Sequence, residues 1–123
     1  MKTHKMRLLP EYFEYMKTGT KKLEIRLNDE KRKNIKIGDL IIFEKLDDTQ
    51  ELLKTKVTNL YYYSDFNELI NENDVTLLAD KSVSKEKLIK TLNEIYSKEE
   101  QDKYGVVAIE IEKIKVDKKY NEN

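Results

Sequence analysis

TGTKKLEIRLNDEKRKNIKIGDLIIF, residues 18–43, holds two runs of different character on either side of a charged turn. In the first, Leu23, Ile25 and Leu27 alternate with Lys22, Glu24, Arg26 and Asn28, the period-two pattern of a strand with one apolar face. Gly38-Asp39 then leads into DLIIFEKL, whose nearly continuous apolar run predicts a second strand covered on both faces. Between them DEKRKN has loop chemistry. Two strands joined by a turn, with no helix to cross over, point to antiparallel rather than doubly wound architecture.

The sequence on either side extends that pattern. THKMRLL alternates His4, Met6 and Leu8 against Lys5 and Arg7, predicting a first strand. Pro10 suits the first position of a helix over about 10–18, with Tyr12, Phe13 and Met16 on one face and Gly19 as its C-terminal stop. Beyond residue 43, Asp47-Asp48-Thr49 forms a turn. ELLKTKVTNLYYY then continues as a long strand whose alternation slips near Asn59, the mark of a bulge. Asp65 and Glu68 flank Phe66 as a helix start, giving a short helix through about Asn71. Leu88, Ile89, Leu92, Ile95 and Tyr96 repeat at helical spacing, and Ser97 with Glu100 has the form of a capping box opening another helix. YGVVAIEIEKIKV is a final strand, and residues 117–123 are expected to fray. With no repeat or linker, residues 1–116 read as a single α+β domain, a mixed, largely antiparallel sheet or small barrel with packed helices.

Composition narrows the chemistry. The 123 residues carry 24 Lys/Arg and 24 Asp/Glu, a formal net charge of zero, but the charge is segregated. Residues 17–37 hold eight basic against three acidic side chains, and residues 38–80 hold three against ten. Overall neutrality argues against indiscriminate duplex binding, whereas a local basic patch permits one focused anionic ligand. Eight Tyr and three Phe are expected to supply much of the large apolar area. The absence of Cys excludes disulfides, thiolate nucleophiles and Cys-type zinc sites, and a single His excludes a multi-histidine metal centre. Three scattered glycines assemble neither a P-loop nor a dinucleotide fingerprint. No metal and no cofactor is expected. The chain has no apolar run long enough for a membrane span and no signal-type start, so the expectation is a cytoplasmic protein without a membrane partner.

The ordered motifs resemble the ASCH (activating signal cointegrator homology) family of the PUA-like superfamily. The matching pieces are H-x-M-x-L at 4–8, Gly19-x-Lys21-x-x-Glu24-x-Arg26, DEKR at 29–32, IKIGDLIIF at 35–43 and YSKEEQDKYGVVAIEIE at 96–112. The resemblance implies a small PUA-like β-barrel flanked by helices, with a cleft between the first helix and the G-x-K strand. It also implies RNA or a modified nucleoside as partner. Some bacterial members hydrolyse the acetyl amide of N(4)-acetylcytidine with the G-x-K Lys, a Thr three residues later and a separate Glu. Lys21 matches that Lys, but Glu24 stands where those members have Thr. Loss of the hydroxyl argues against that hydrolysis and leaves Lys21 and Glu24 as a proton-transfer pair if the protein is an enzyme. Metal-independent ribonuclease chemistry is the other enzymatic alternative.

The candidate ligand-binding residues are Lys21, Glu24, Arg26, Arg32, Tyr104 and His4. Arg26 has the planar donors to grip a phosphate or carboxylate, and Glu24 on the same strand face accepts a base's amino protons. Without the family pattern, the three charges of the G-x-K strand read as an exposed face with cross-strand ion pairs. Simple alternation puts Lys21 on the side of Leu23, so it meets Glu24 only if the backbone turns. Arg32 extends the basic rim, Asp29 buttresses Arg26, and Tyr104 is the aromatic candidate for stacking on a base. A lone strand His is ordinarily a hydrogen-bonded structural residue, which makes His4 a secondary candidate.

Overall fold

The order of elements in the computed structural model, which describes residues 1–117, is β1 (Thr3–Leu8), α1 (Pro10–Lys17), β2 (Leu23–Leu27), β3 (Leu40–Lys45) and β4 (Leu52–Tyr63). These are followed by α2 (Phe66–Asn71), α3 (Val75–Leu78), α4 (Lys85–Ile95), α5 (Lys98–Tyr104) and β5 (Val106–Asp117). Apart from Asp117, which ends β5, the tail expected to fray lies outside the described residues. Asp65, Asp74, Ser84 and Ser97 cap the four later helices through their side chains, and Ser97 with Glu100 forms the capping box. Gly19, with φ of 97°, follows the last turn of α1 as its left-handed stop. The single-turn α3 was not legible as a helix, because four residues carry no periodicity.

The strands form one sheet in the order β1-β3-β4-β5-β2, with β1 parallel to β3 and every other pair antiparallel. The parallel pair needs a crossover, which α1 and β2 provide. β2 and β3, consecutive across the charged turn, therefore do not pair. Register shifts in β4 at Lys54/Thr55 and Val57/Asn59 add local twist. The sheet curls until its two outer strands approach, and Arg26 Nη2 on β2 donates to the Arg7 carbonyl on β1 at 2.8 Å. The result is the curled half-barrel flanked by helices that the PUA-like resemblance implies.

Two apolar clusters cover the sheet from opposite sides. Met6, Ile41, Phe43, Leu53, Val57, Val107 and Ile109 pack with Phe13 and Met16 of α1. Leu23, Ile25, Leu27, Val106 and Ala108 pack with α2, α3 and α4 through Phe66, Leu69, Leu78, Leu88 and Leu92. β5 alternates between the two clusters residue by residue, so β2 beside it is covered on both faces. β3 is not: Ile41 and Phe43 are buried, whereas Leu40 and Ile42 are only half-buried. The two-faced burial expected of DLIIFEKL belongs instead to the alternating β2. The aromatic area divides by type. All three Phe are fully buried, while Tyr61 and Tyr62 are exposed and Tyr63, Tyr96 and Tyr104 pack only partly buried against the second cluster.

Candidate functional site

In register, Glu24 lies opposite Ile109 and Arg26 opposite Val107, both of whose side chains point into the first cluster. Directly paired residues share a face of the sheet, so both charged side chains of β2 turn inward. Glu24 is only 4% exposed, and the reading of an exposed ion-paired strand face does not hold. A buried carboxylate at this position requires compensating charge, and the chain supplies it from both sides. Arg26 Nε donates to Glu24 Oε2 at 2.6 Å, and Lys21 Nζ lies 3.3 Å from Oε1.

Lys21 reaches that position because the backbone turns before the strand begins. The amides of Thr20 and Lys21 both donate to the Tyr15 carbonyl at the end of α1, and the Lys22 amide donates to Leu77. The ammonium, 3% exposed, then donates to the carbonyls of Leu23 at 2.6 Å and Leu78 at 2.7 Å. With the Glu24 carboxylate 3.3 Å away as counter-charge, the ammonium is surrounded by three protein oxygens. Its Nζ also sits 5.9 Å from the centre of the Tyr12 ring. Burial lowers the pKa of Lys21, with Glu24 opposing the shift. Burial also pushes Glu24 up, but the Arg26 and Lys21 charges and their hydrogen bonds outweigh it and hold the carboxyl below its ordinary value.

The triad forms part of the wall of a cavity of about 190 Å³ between β1, α1, β2 and α4. Apart from the triad, Arg7 and Thr91, its lining is apolar or aromatic: Leu8, Leu9, Tyr12, Ile25, Leu78, Leu88, Leu92, Ile95 and Tyr96. Across Arg7 and Arg26 lies a wider cleft of about 860 Å³ that Lys31 and Arg32 also line. Chemically, the cavity offers a largely nonpolar slot with one carboxylate, Glu24, and two guanidiniums, Arg7 and Arg26, in its wall. Arg26 Nη1 makes no hydrogen bond among the described residues, and each Glu24 oxygen retains a lone pair.

The structure brings together Lys21, Glu24 and Arg26 and leaves the other candidates apart. Arg32 lines the wider cleft and pairs with Asp29 at 3.2 Å, so Asp29 buttresses Arg32 rather than Arg26. Tyr104 packs in the second cluster beneath Lys103, and His4 binds Asp39 at 2.8 Å; neither lines the cavity or the cleft. Tyr12, expected on one helical face with Phe13 and Met16, faces the cavity, while those two take the core side of α1. Sequence reasoning missed the whole α4 wall. Its signal was the apolar stripe of Leu88, Leu92 and Ile95, whose last member is exposed at the cavity rather than packed. The Leu78 carbonyl had no signal, because any residue type offers one.

Among the described residues, no helix is long and apolar enough to cross a membrane, and no group of three His, Asp or Glu is placed to hold a metal ion. The family model described as the ASCH domain matches residues 6–115. The crystal structure of the hypothetical protein PH0355 is 43% identical, with a TM-score of 0.80, covering 91% of this chain and 99% of that one. The solution structure of protein PF0455 from Pyrococcus furiosus is 38% identical, with a TM-score of 0.72, covering 91% and 97%. No curated protein matches the chain.

Proposed function

Because the chain belongs to the ASCH domain family, we propose that it binds RNA or a modified nucleoside by seating one base in the cavity at Glu24 and Arg26. The observation that carries this reading is the open hydrogen-bonding capacity of those two side chains in a largely nonpolar slot. The carboxylate accepts from an exocyclic amino group, the guanidinium donates to a ring nitrogen or carbonyl, and Tyr12 and Tyr96 supply aromatic surface. Lys21 serves as a fixed counter-charge that holds Glu24 ionised and aimed, since two carbonyls already hold its ammonium. Calorimetric titration with nucleosides and short RNAs tests the reading: Arg26→Ala and Glu24→Gln weaken binding, and affinities identical to wild type would remove the assignment.

Hydrolysis of an acylated nucleoside is the second reading, favoured by one observation, the lowered pKa of Lys21 beside a carboxylate. The two carbonyls that hold Nζ and the adjoining carboxylate weigh against it, because a general base or nucleophile needs a free lone pair aimed at substrate. N(4)-acetylcytidine incubated with the protein then releases no acetate above buffer; turnover that Lys21→Met abolishes would promote this reading. Labelled RNA left intact in EDTA speaks in the same way against metal-independent ribonuclease activity.

A further inference from the structure

We propose that the cleft across Arg7 and Arg26 from the cavity is a phosphate subsite, making the ligand a single-stranded nucleic acid rather than a free nucleoside. The proposal rests on the base-seating reading above. Strand alternation places Lys5 and Arg7 on one face of β1, and both are exposed. Parallel pairing sets them opposite Ile42 and Glu44 of β3. From the other side, the turn after β2 brings Lys31 and Arg32 to the same hollow.

The cations differ in how far they are already spoken for. Arg26 is neutralised by Glu24 and Arg32 faces Asp29, whereas Lys5, Arg7 and Lys31 have no salt bridge among the described residues. The one carboxylate in the cleft lining, Glu44, does not balance those three. Arg32 lines the cleft as well, its Nε buried without a hydrogen-bond partner among the described residues.

Continuity selects the ligand. Arg7 and Arg26 line both hollows, so a strand whose base enters the cavity passes its adjoining phosphate over Arg7 into the wider cleft. The cavity lies behind α4 and has room for one unstacked base, which a paired duplex does not present. An acidic peptide engages the same cations but leaves the cavity unused.

The experiment compares a labelled pentanucleotide RNA with the same ribose-phosphate chain lacking bases, by fluorescence anisotropy over a salt series. The proteins are wild type, Lys5→Glu/Lys31→Glu, and Ile95→Trp, all altered at exposed positions. Wild type binds both chains, the RNA more tightly. The double reversal loses the abasic chain, binds RNA roughly tenfold or more weakly at low salt, and shows a salt slope shallower by about 1.4, two single-strand phosphate contacts. Ile95→Trp, crowding the cavity mouth, brings RNA down toward the abasic level and leaves the abasic chain unchanged. No abasic binding by wild type, or an unchanged slope in the double reversal, overturns the phosphate subsite. Nucleoside binding in that case leaves the base reading standing. Abasic binding with no effect of Ile95→Trp keeps the subsite and removes the base reading. Equal competition by polyglutamate overturns nucleic acid as the ligand.

Discussion

Glu24 and Asp39 are nearly equally buried, 4% and 5% exposed, and both are held below their ordinary pKa, yet the chain uses them differently. Glu24 is compensated by charges, Arg26 and Lys21, and lies in the wall of a cavity. Asp39 is compensated mainly by hydrogen bonds that tie chain segments together. Its Oδ1 accepts from the Lys2 amide, and its Oδ2 accepts from the Lys36 amide and binds His4 Nε2. It lines neither hollow. Burial alone thus does not distinguish a site carboxylate from a structural one; the partners and the space in front of it do. Removing Glu24 is expected to cost stability and ligand together, and removing Asp39 to cost stability alone.

The largest effect falls on Glu24→Ala. It leaves an ammonium and a guanidinium buried against each other, a loss of about 3–5 kcal/mol by the measured behaviour of broken buried pairs. Urea denaturation checks it, and a loss below about 1 kcal/mol would mean that the triad is wetter than its burial implies. The triple change Lys21→Met, Glu24→Leu, Arg26→Met sharpens the comparison. Replacing all the charges by apolar groups of similar volume is expected to restore most of the stability, while nucleoside binding stays absent. Recovery of binding along with stability would detach the triad from the site.

Asp39→Asn comes next, with an expected loss of about 1–3 kcal/mol, because one amide oxygen cannot replace the carboxylate's acceptance from two backbone amides and a histidine. Nucleoside and RNA affinities of this variant should match wild type. A fall in affinity comparable to that of Glu24→Gln would erase the distinction between the two carboxylates.

These contrasts also mark what the chain's pattern made legible. The strands, the capped helices other than α3 and the β4 bulge follow from local periodicity and cap chemistry, which operate within a few residues. The clustering of Lys21, Glu24 and Arg26 was legible through motif spacing, but their burial was not. Alternation shows that Glu24 and Arg26 share a face of β2 without saying that this face is buried at the cavity between α1 and α4. Arg26 was read as a free gripper of anions, whereas two of its nitrogens are engaged in binding Glu24 and closing the seam to β1. His4 and Tyr104 lie inside matching motifs, yet His4 binds Asp39, Tyr104 packs in the second cluster, and neither lines the cavity or the cleft. The α4 wall depends on which side of the sheet a distant helix docks, and nothing in residues 84–96 encodes that.

The smallest expected effect is a pH signature. The Asp39 carboxyl sits at about 2 instead of the usual 3.8, because its hydrogen bonds from His4 and the Lys2 and Lys36 amides outweigh the upward push of burial. A carboxyl depressed in the folded state binds its proton more readily in the unfolded chain. Its contribution is therefore complete above about pH 4 and is lost as pH falls through the interval from 3.8 toward 2. Glu14, Asp47 and Asp74 are held low as well, so wild-type acid unfolding reports several groups at once. The informative quantity is the stability difference between wild type and Asp39→Asn, measured by denaturation at stepped pH. It should be flat from pH 7 to about 5 and shrink below 4, because the variant has no proton to take up there. A difference that stays constant down to pH 2 would assign the cost of Asp39→Asn to geometry rather than charge, making the backbone clamp of β1 and β3 indifferent to ionisation.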